Sequence, residues 1–356
     1  MRITEHALHT VVSSILTACG SDPEETRIVA DHLIRANLTG HDSHGAGMVP
    51  TYVKSIKAGL LKPNSQPDLV NDSGAIMIFD GQRGFGQRVA REAMDQAIER
   101  CRETGLVLMA LRNAHHIGRV GSYGEQSIAA GMISLHFVNV TDHPPLVAAY
   151  NGTKARLLTN PICFAMPATE QHPAALLDMA TSKIALGKAR VALNEGKPVH
   201  QGCLIDAEGR PTTDPRVLLA EPRGALTPFG DYKGFGLAFF CEMLAGALTG
   251  GGTIQPGNQA QGSIINNMLT FLVDPARLVD VAWMKQEIDA LTDYVLDSPT
   301  ADAAKGPVMI AGTPERLAMV ERQQTGIPID ATSWQELQET ARAVGLDPLA
   351  LPGPLT

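Results

Sequence analysis

Apolar residues near the start of the chain recur at helical spacing. Leu8, Val11, Val12, Ile15 and Leu16 fall on one face of a helix, and Val49, Tyr52, Val53 and Ile56 on one face of another. Between them, Asp22-Pro23-Glu24-Glu25 reads as a helix start, with Asp22 as N-cap, Pro23 at the first position and Glu25 three residues past the cap. Ile28, Val29, Leu33 and Ile34 give that helix its apolar side, and it runs out near Gly40. A link rich in Pro, Asn and Asp follows from Lys62 to Gly74.

The period then changes. Ala75–Phe79, Leu106–Leu111, Ile133–Val140, Ile162–Met166, Ala175–Met179 and Met268–Val273 are apolar runs of strand length. One helix, Gln87–Glu103, interrupts them, with Val89, Ala93, Ala97, Ile98 and Cys101 on one face. After Pro275 helices return: Met284–Leu296, one opened by Thr313-Pro314-Glu315 and closed by Gly326, and one whose capping box is Ser333-Trp334-Gln335-Glu336. The pattern predicts an α/β fold of the α+β type. Residues 1–74 and 276–356 form one discontinuous helical domain around a strand-rich domain at 75–275.

Composition narrows the classes. At 356 residues and 44% hydrophobic, the chain can bury a large core. A net charge of −8 without a basic run argues against nucleic acid and anionic membranes as partners. Cys19, Cys101, Cys163, Cys203 and Cys241 show no CxxC spacing and read as reduced and structural. Glu5 and His6 stand where a signal peptide wants a basic start, and the longest apolar stretch, Phe235 to Leu248, contains Glu242. The expectation is a cytoplasmic protein with no membrane-spanning segment.

Gly81-Gln82-Arg83-Gly84-Phe85-Gly86 resembles a dinucleotide fingerprint but has the wrong spacing. The third small residue would fall at Val89, and the following strand ends at Arg112 rather than at an acidic residue. Gly187-Lys188 is not a phosphate loop either, because position 182 is Ser182. A nicotinamide cofactor would therefore need a different fold.

The chemistry-bearing residues cluster elsewhere. Gly40-His41-Asp42-Ser43-His44-Gly45 packs two histidines, a carboxylate and a hydroxyl into a corner between helices. Ser43 or a neighbour can cap the next helix, and the dipole there disfavours an imidazolium at His44. A neutral histidine beside a hydroxyl is suited to passing a proton to a substrate oxygen. The same segment also reads as a capping cluster with no chemistry. Asn113-Ala114-His115-His116-Ile117-Gly118-Arg119, Thr159-Asn160-Pro161, Leu177 to Lys183 and Asp231-Tyr232-Lys233-Gly234 add polar groups at strand ends. His115 reads more simply as a surface loop residue, and Asp178 equally as a structural hydrogen-bond partner. A metal site from His41, His44, His115 and His116 lacks same-face spacing and a supporting carboxylate pair, so no metal is expected. A Ser43–His44–Asp178 hydrolase lacks a nucleophile elbow, and neighbouring residues rarely set a serine oxygen against the adjacent imidazole.

TGHDSHG, RNAHHIG, TNPICFAMP, LDMATS, DYKGFGLAFFCEMLAGALTG and the AGTPE segment, in this order over nearly the whole chain, resemble the malate/L-lactate dehydrogenase family. The resemblance implies a non-Rossmann, NAD- or NADP-dependent 2-oxoacid reductase with a largely antiparallel sheet, acting as a homodimer. It implies His44 as proton donor, supported by Ser43 and Asp178, with His116 as the alternative acid/base. It places the cofactor along Leu177, Asp178, Met179, Ala180, Thr181, Ser182 and Lys183, against Tyr232 and Lys233, reaching Ala311, Gly312 and Thr313, with Asn160 close by. Met48 stands where many members carry a substrate-gripping arginine, and Arg119 where many have a small residue. The expectation is that Arg119 takes over the grip on the substrate carboxylate, while Met48 makes the wall more apolar. Met48 with HHIGR looks most like the hydroxycarboxylate dehydrogenase B branch. Reduction of a cyclic imino acid, or cofactor binding without turnover, are the rival expectations.

Overall fold

The computed structural model describes residues 1–194, 196–258 and 262–355. A two-residue strand, β1 (Arg2–Ile3), leads into helices α1 (Glu5–Ala18), α2 (Pro23–Leu38) and α3 (Val49–Lys57). Asp22 caps α2 as its sequence predicts, accepting from the Glu25 amide at 2.7 Å. Strands β2 (Asp68–Ser73) and β3 (Ile76–Asp80), helix α4 (Gly86–Thr104), β4 (Leu106–His115), α5 (Gly121–Ala129) and β5 (Ile133–Thr141) follow. After short strands β6 (Val147–Ala148) and β7 (Ala155–Leu157) come the hairpin β8 (Ile162–Met166) and β9 (Ala175–Met179), then α6 (Leu186–Asn194). Short strands β10 (Leu204–Ile205), β11 (Pro211–Thr212) and β12 (Ala225–Leu226) precede α7 (Tyr232–Cys241), which runs on into a π-helical turn at Glu242–Leu248. β13 (Ile265–Val273), α8 (Val281–Leu296), α9 (Thr313–Thr325), β14 (Ile327–Pro328) and α10 (Ala331–Ala343) complete the chain.

The main sheet has seven strands in the order β2-β3-β4-β13-β5-β8-β9. Only β3 and β4, joined through α4, run parallel; every other neighbouring pair in this sheet is antiparallel. Alternation along β5 separates its two faces. Val138 joins the core under α4 and α5, whereas the Asn139 side chain reaches Glu242 in the π turn. A second sheet, β11-β10-β12-β6-β7, lies to one side. The ends of the chain meet in the β1–β14 pair, and Ile3, Leu8, Leu33, Tyr52, Ile327 and Leu337 share one hydrophobic cluster. Helix α8 bonds instead to the turn before β9, through Lys285 to Glu170 at 2.7 Å and His172 to Asp293 at 2.8 Å.

Three local expectations need correction. The Lys62–Gly74 link contains β2, whose residues alternate half-buried and exposed against β3. Helix α10 begins before its expected box: Asp330 is the cap, accepting from the Ser333 amide at 2.9 Å. Helix α3 is capped by Met48 with no side-chain hydrogen bond, so Ser43 does not cap it.

The glycines of the false fingerprint have a packing role. A Cβ on Gly86, the first residue of α4, would lie 2.5 Å from the His116 carbonyl oxygen and closer still to that of His115. The helix start is thus pressed onto the strand end that carries both histidines. Gly86→Ala should cost about 3 kcal/mol, as forced overpacking does. Thermal unfolding would read it; an unchanged midpoint would remove the constraint.

Candidate active site

The turn after α2 presents His44. Asn37, near the end of α2, holds it from both sides: its amide nitrogen donates to Asp42 at 2.8 Å and its oxygen accepts from the Ala46 amide at 2.8 Å. Arg322 of α9 adds two bonds to the Asp42 carboxylate, at 2.7 and 3.0 Å. Contrary to expectation, the adjacent serine does meet the imidazole, Ser43 Oγ lying 3.0 Å from His44 Nδ1. The short helical turn Asp42–His44 makes this possible by folding the two side chains toward each other.

His116, just beyond β4, stands beside it. The two rings stack with centroids 5.6 Å apart and planes 15° apart. His116 Nδ1 is 2.7 Å from the Tyr52 hydroxyl of α3, which in turn accepts from Gln87 Nε2 of α4 at 2.7 Å. The two histidines expected as alternatives therefore belong to one site. Burial holds both imidazoles neutral, with the value for His44 lowered to about 4 and that for His116 well below the ordinary one. Desolvation is the main cause, not the helix dipole that the sequence suggests; the Asp178 charge works the other way on His44.

Asp178 supports this site through its charge. Its carboxylate accepts from the Gly121 amide at 2.7 Å and lies 3.8 Å from Arg119 Nε. Arg119 is 1% exposed, with Nη1 on Glu125 at 2.9 Å, and Glu125 is also held by Arg35 at 3.0 and 3.1 Å. The guanidinium is thus not open to solvent, but its Nε and Nη2 have no hydrogen-bond partner. It lines a cavity of about 290 Å³ with Leu176, Gly312, Glu315 and Arg316. Met48 packs partly buried against the helical cluster. His115 is fully buried rather than on the surface, edge-on to Tyr52, and burial lowers it to about 4.

The residues expected at a cofactor lie along one edge. β9, the last strand of the main sheet, carries Leu177, Asp178 and Met179. Ala311 accepts from the Leu176 amide at 3.3 Å, which sets Ala311, Gly312 and Thr313 beside that edge. Beyond it Thr181 is fully buried, bonding the Thr159 and Asn160 carbonyls at 3.0 and 3.1 Å. The Lys183 amide bonds Thr227 and the Phe229 amide bonds Thr181, so Tyr232 and Lys233 begin α7 next to Ala180, Ser182 and Lys183. Asn160 is buried, its amide nitrogen on Glu242 at 2.8 Å and its side-chain oxygen without a partner.

The sequence profile of the malate/L-lactate dehydrogenases matches residues 3–338. The chain belongs to the malate/L-lactate dehydrogenase family. It is 43% identical to hydroxycarboxylate dehydrogenase B of Escherichia coli K12 over 347 residues, covering 97% of this chain and 95% of that one. It superposes on the sulfolactate dehydrogenase of Methanocaldococcus jannaschii with a TM-score of 0.85 at 31% identity, over 99% of both chains. It superposes on the delta1-piperideine-2-carboxylate reductase of Pseudomonas syringae pvar. tomato with a TM-score of 0.80 at 25% identity, covering 96% of this chain and all of that one. As a member of this family the chain is an oxidoreductase.

Tyr52 and Gln87 escaped the sequence reading, because each lies on an apolar helical face. The one available signal was the tyrosine hydroxyl, which needs a partner once buried.

The buried histidines set the response to acid. His32 and His136 are lowered to about 3 by burial, against an ordinary value of 6.5. Between those values the unfolded chain holds more protons than the folded one, so their contribution is complete above pH 6.5 and declines as pH falls. These two alone should remove roughly 3 kcal/mol between pH 6.5 and pH 5. Urea unfolding at both pH values measures it, and equal stabilities would contradict their burial as neutral groups.

Proposed function

We propose that the protein is an NAD- or NADP-dependent 2-hydroxyacid dehydrogenase that reduces a 2-oxoacid, with His44 or His116 giving the proton to the new hydroxyl. The observation that carries this reading is the stacked pair of neutral histidines, beside which Asp178 ties the site to the β9 edge. The residues present fit a nicotinamide cofactor. Asn160 offers an unpartnered buried oxygen, Lys183 and Lys233 are exposed cations, and Leu177 is exposed on the edge strand. This surface belongs to an antiparallel sheet edge, unlike the doubly wound cofactor site of a Rossmann fold.

When bound, the nicotinamide supplies the hydride that reduces C2 of the oxoacid. The chain's own residues orient and protonate. Ser43 fixes the His44 ring through Nδ1, and Tyr52 fixes the His116 ring. Arg119 is the expected grip on the substrate carboxylate, with Nε and Nη2 unpartnered but buried beside a cavity of about 290 Å³, and Met48, partly buried against the helical cluster, is the residue expected to make the wall more apolar. Arg119→Lys keeps the charge toward Glu125 and Asp178 but loses the planar fork, so KM should rise about tenfold with cofactor affinity unchanged. An unaltered KM would discard the clamp.

The protein is read as a cytoplasmic homodimer. Its five cysteines are free thiols, and α7 with its π turn leaves Leu237, Phe239, Phe240 and Met243 exposed, an apolar patch suited to a second copy.

NADH and NADPH consumption should be followed against pyruvate, oxaloacetate, 2-oxoglutarate, phenylpyruvate, sulfopyruvate and a cyclic imino acid. Turnover is expected on an oxoacid, with His44→Ala and His116→Ala each lowering kcat by about 100-fold or more. Turnover on the imino acid alone would favour the second reading, to which the likeness to the piperideine-carboxylate reductase points. Cofactor binding without any turnover would leave a binding protein.

A further inference from the structure

We propose that the two histidines have different tasks: His116 is locked by Gln87 and Tyr52 as a neutral hydrogen-bond donor to the substrate oxygen, and His44 alone exchanges the proton. This inference rests on the dehydrogenase reading of the site and divides its labour.

The argument follows one hydroxyl proton. Gln87 is fully buried and donates its amide Nε2 to the Tyr52 oxygen at 2.7 Å. A tyrosine hydroxyl has a single proton, and with an oxygen lone pair occupied by Gln87 that proton points along the other short contact, to His116 Nδ1 at 2.7 Å. Nδ1 is then an acceptor, and the ring's own proton must sit on Nε2. Among the described residues His116 Nε2 makes no hydrogen bond, and it is not among the sealed-off atoms. The site therefore presents an N–H, not a lone pair, at His116.

A neutral imidazole is a poor source of protons but an effective preorganised donor toward an oxygen that gains negative charge. Surrendering the Nε2 proton would require Tyr52 to release its own to Nδ1, leaving a buried tyrosinate whose formation the surroundings strongly oppose. His44 has no such lock. Its Nδ1 faces the Ser43 hydroxyl, which can donate or accept, so the imidazole can take a proton and return to neutrality without stranding a charge on its partner. In the reduction, the C=O π electrons move to oxygen as C2 receives the hydride. That oxygen is held by the His116 N–H, and the O–H bond forms as an N–H bond of the His44 imidazolium, charged beforehand by a proton from solvent, breaks; the ring returns to the neutral form it holds at rest.

Gln87 is fully buried and acts through the Tyr52 hydroxyl, as a positioning residue, so its test reads the tautomer directly. In protein labelled with 15N-histidine, His116, assigned by its loss in His116→Asn, should show a protonated Nε2 and a bare Nδ1. In Gln87→Met the Tyr52 hydroxyl becomes free to accept, and the Nδ1–H form should appear, with kcat down about tenfold and KM within about twofold. His116→Asn keeps an N–H donor that cannot exchange protons. It should retain turnover within about 100-fold of wild type and keep the same pH limb, whereas His44→Asn should lose that limb. A bare Nε2 in the wild type, or loss of the limb in His116→Asn but not in His44→Asn, would overturn the assignment. The tautomer needs no turnover to be read. Silence toward every oxoacid together with a locked Nε2–H would thus fault the dehydrogenase reading and leave the lock standing.

Discussion

The site depends on one close crossing of backbone. The first turn of α4 is pressed against the carbonyls of His115 and His116, an approach that only glycine at position 86 allows. The same helix brings Gln87 to Tyr52 and connects the parallel strands β3 and β4. A single tight contact thus sets the height of the histidines over the sheet and their distance from α3. Loosening it would move the strand end, the hydroxyl and the amide together, since all three are joined within two residues of the crossing.

Water exclusion then does the electrical work. His32, His44, His115 and His116 sit within one buried region, and each is driven toward neutrality first by lost solvation. Arg119, Glu125, Arg35 and Asp178 form a compensated charge cluster alongside. Paired charges of this kind are costly to separate, and removing one member leaves another uncompensated. The cluster keeps Asp178 close enough to favour a proton on His44 while the desolvated surroundings resist it. Such opposed influences suit a group that must take up and release a proton within one cycle.

The sequence made some of this legible and not the rest, for physical reasons. Terminal helices and most strands of the main sheet were readable because a one-sided apolar face imposes its period directly on the residues. Helix α5 was not, since Gly121-Ser122-Tyr123-Gly124 has poor helical propensity and is held by packing on β8 and β5. His44, Ser43 and His116 were found because their chemistry is concentrated in short segments. Tyr52 lies 64 residues from His116 and 35 from Gln87, and their roles exist only once three elements meet. The serine contact was missed for the opposite reason: a tight turn brought together two neighbours that an extended chain would have kept apart.

The placement of β13 has a consequence for how the chain is made. This strand lies between β4 and β5, yet it is more than a hundred residues later in sequence. As the polypeptide leaves the ribosome, β4 and β5 are complete while the strand that must part them is still unsynthesised. Their facing edges stay open during that interval, and pairing them directly would be a local, rapid and wrong solution. The nascent chain therefore has reason to fold late and to need protection from self-association until its last third has emerged.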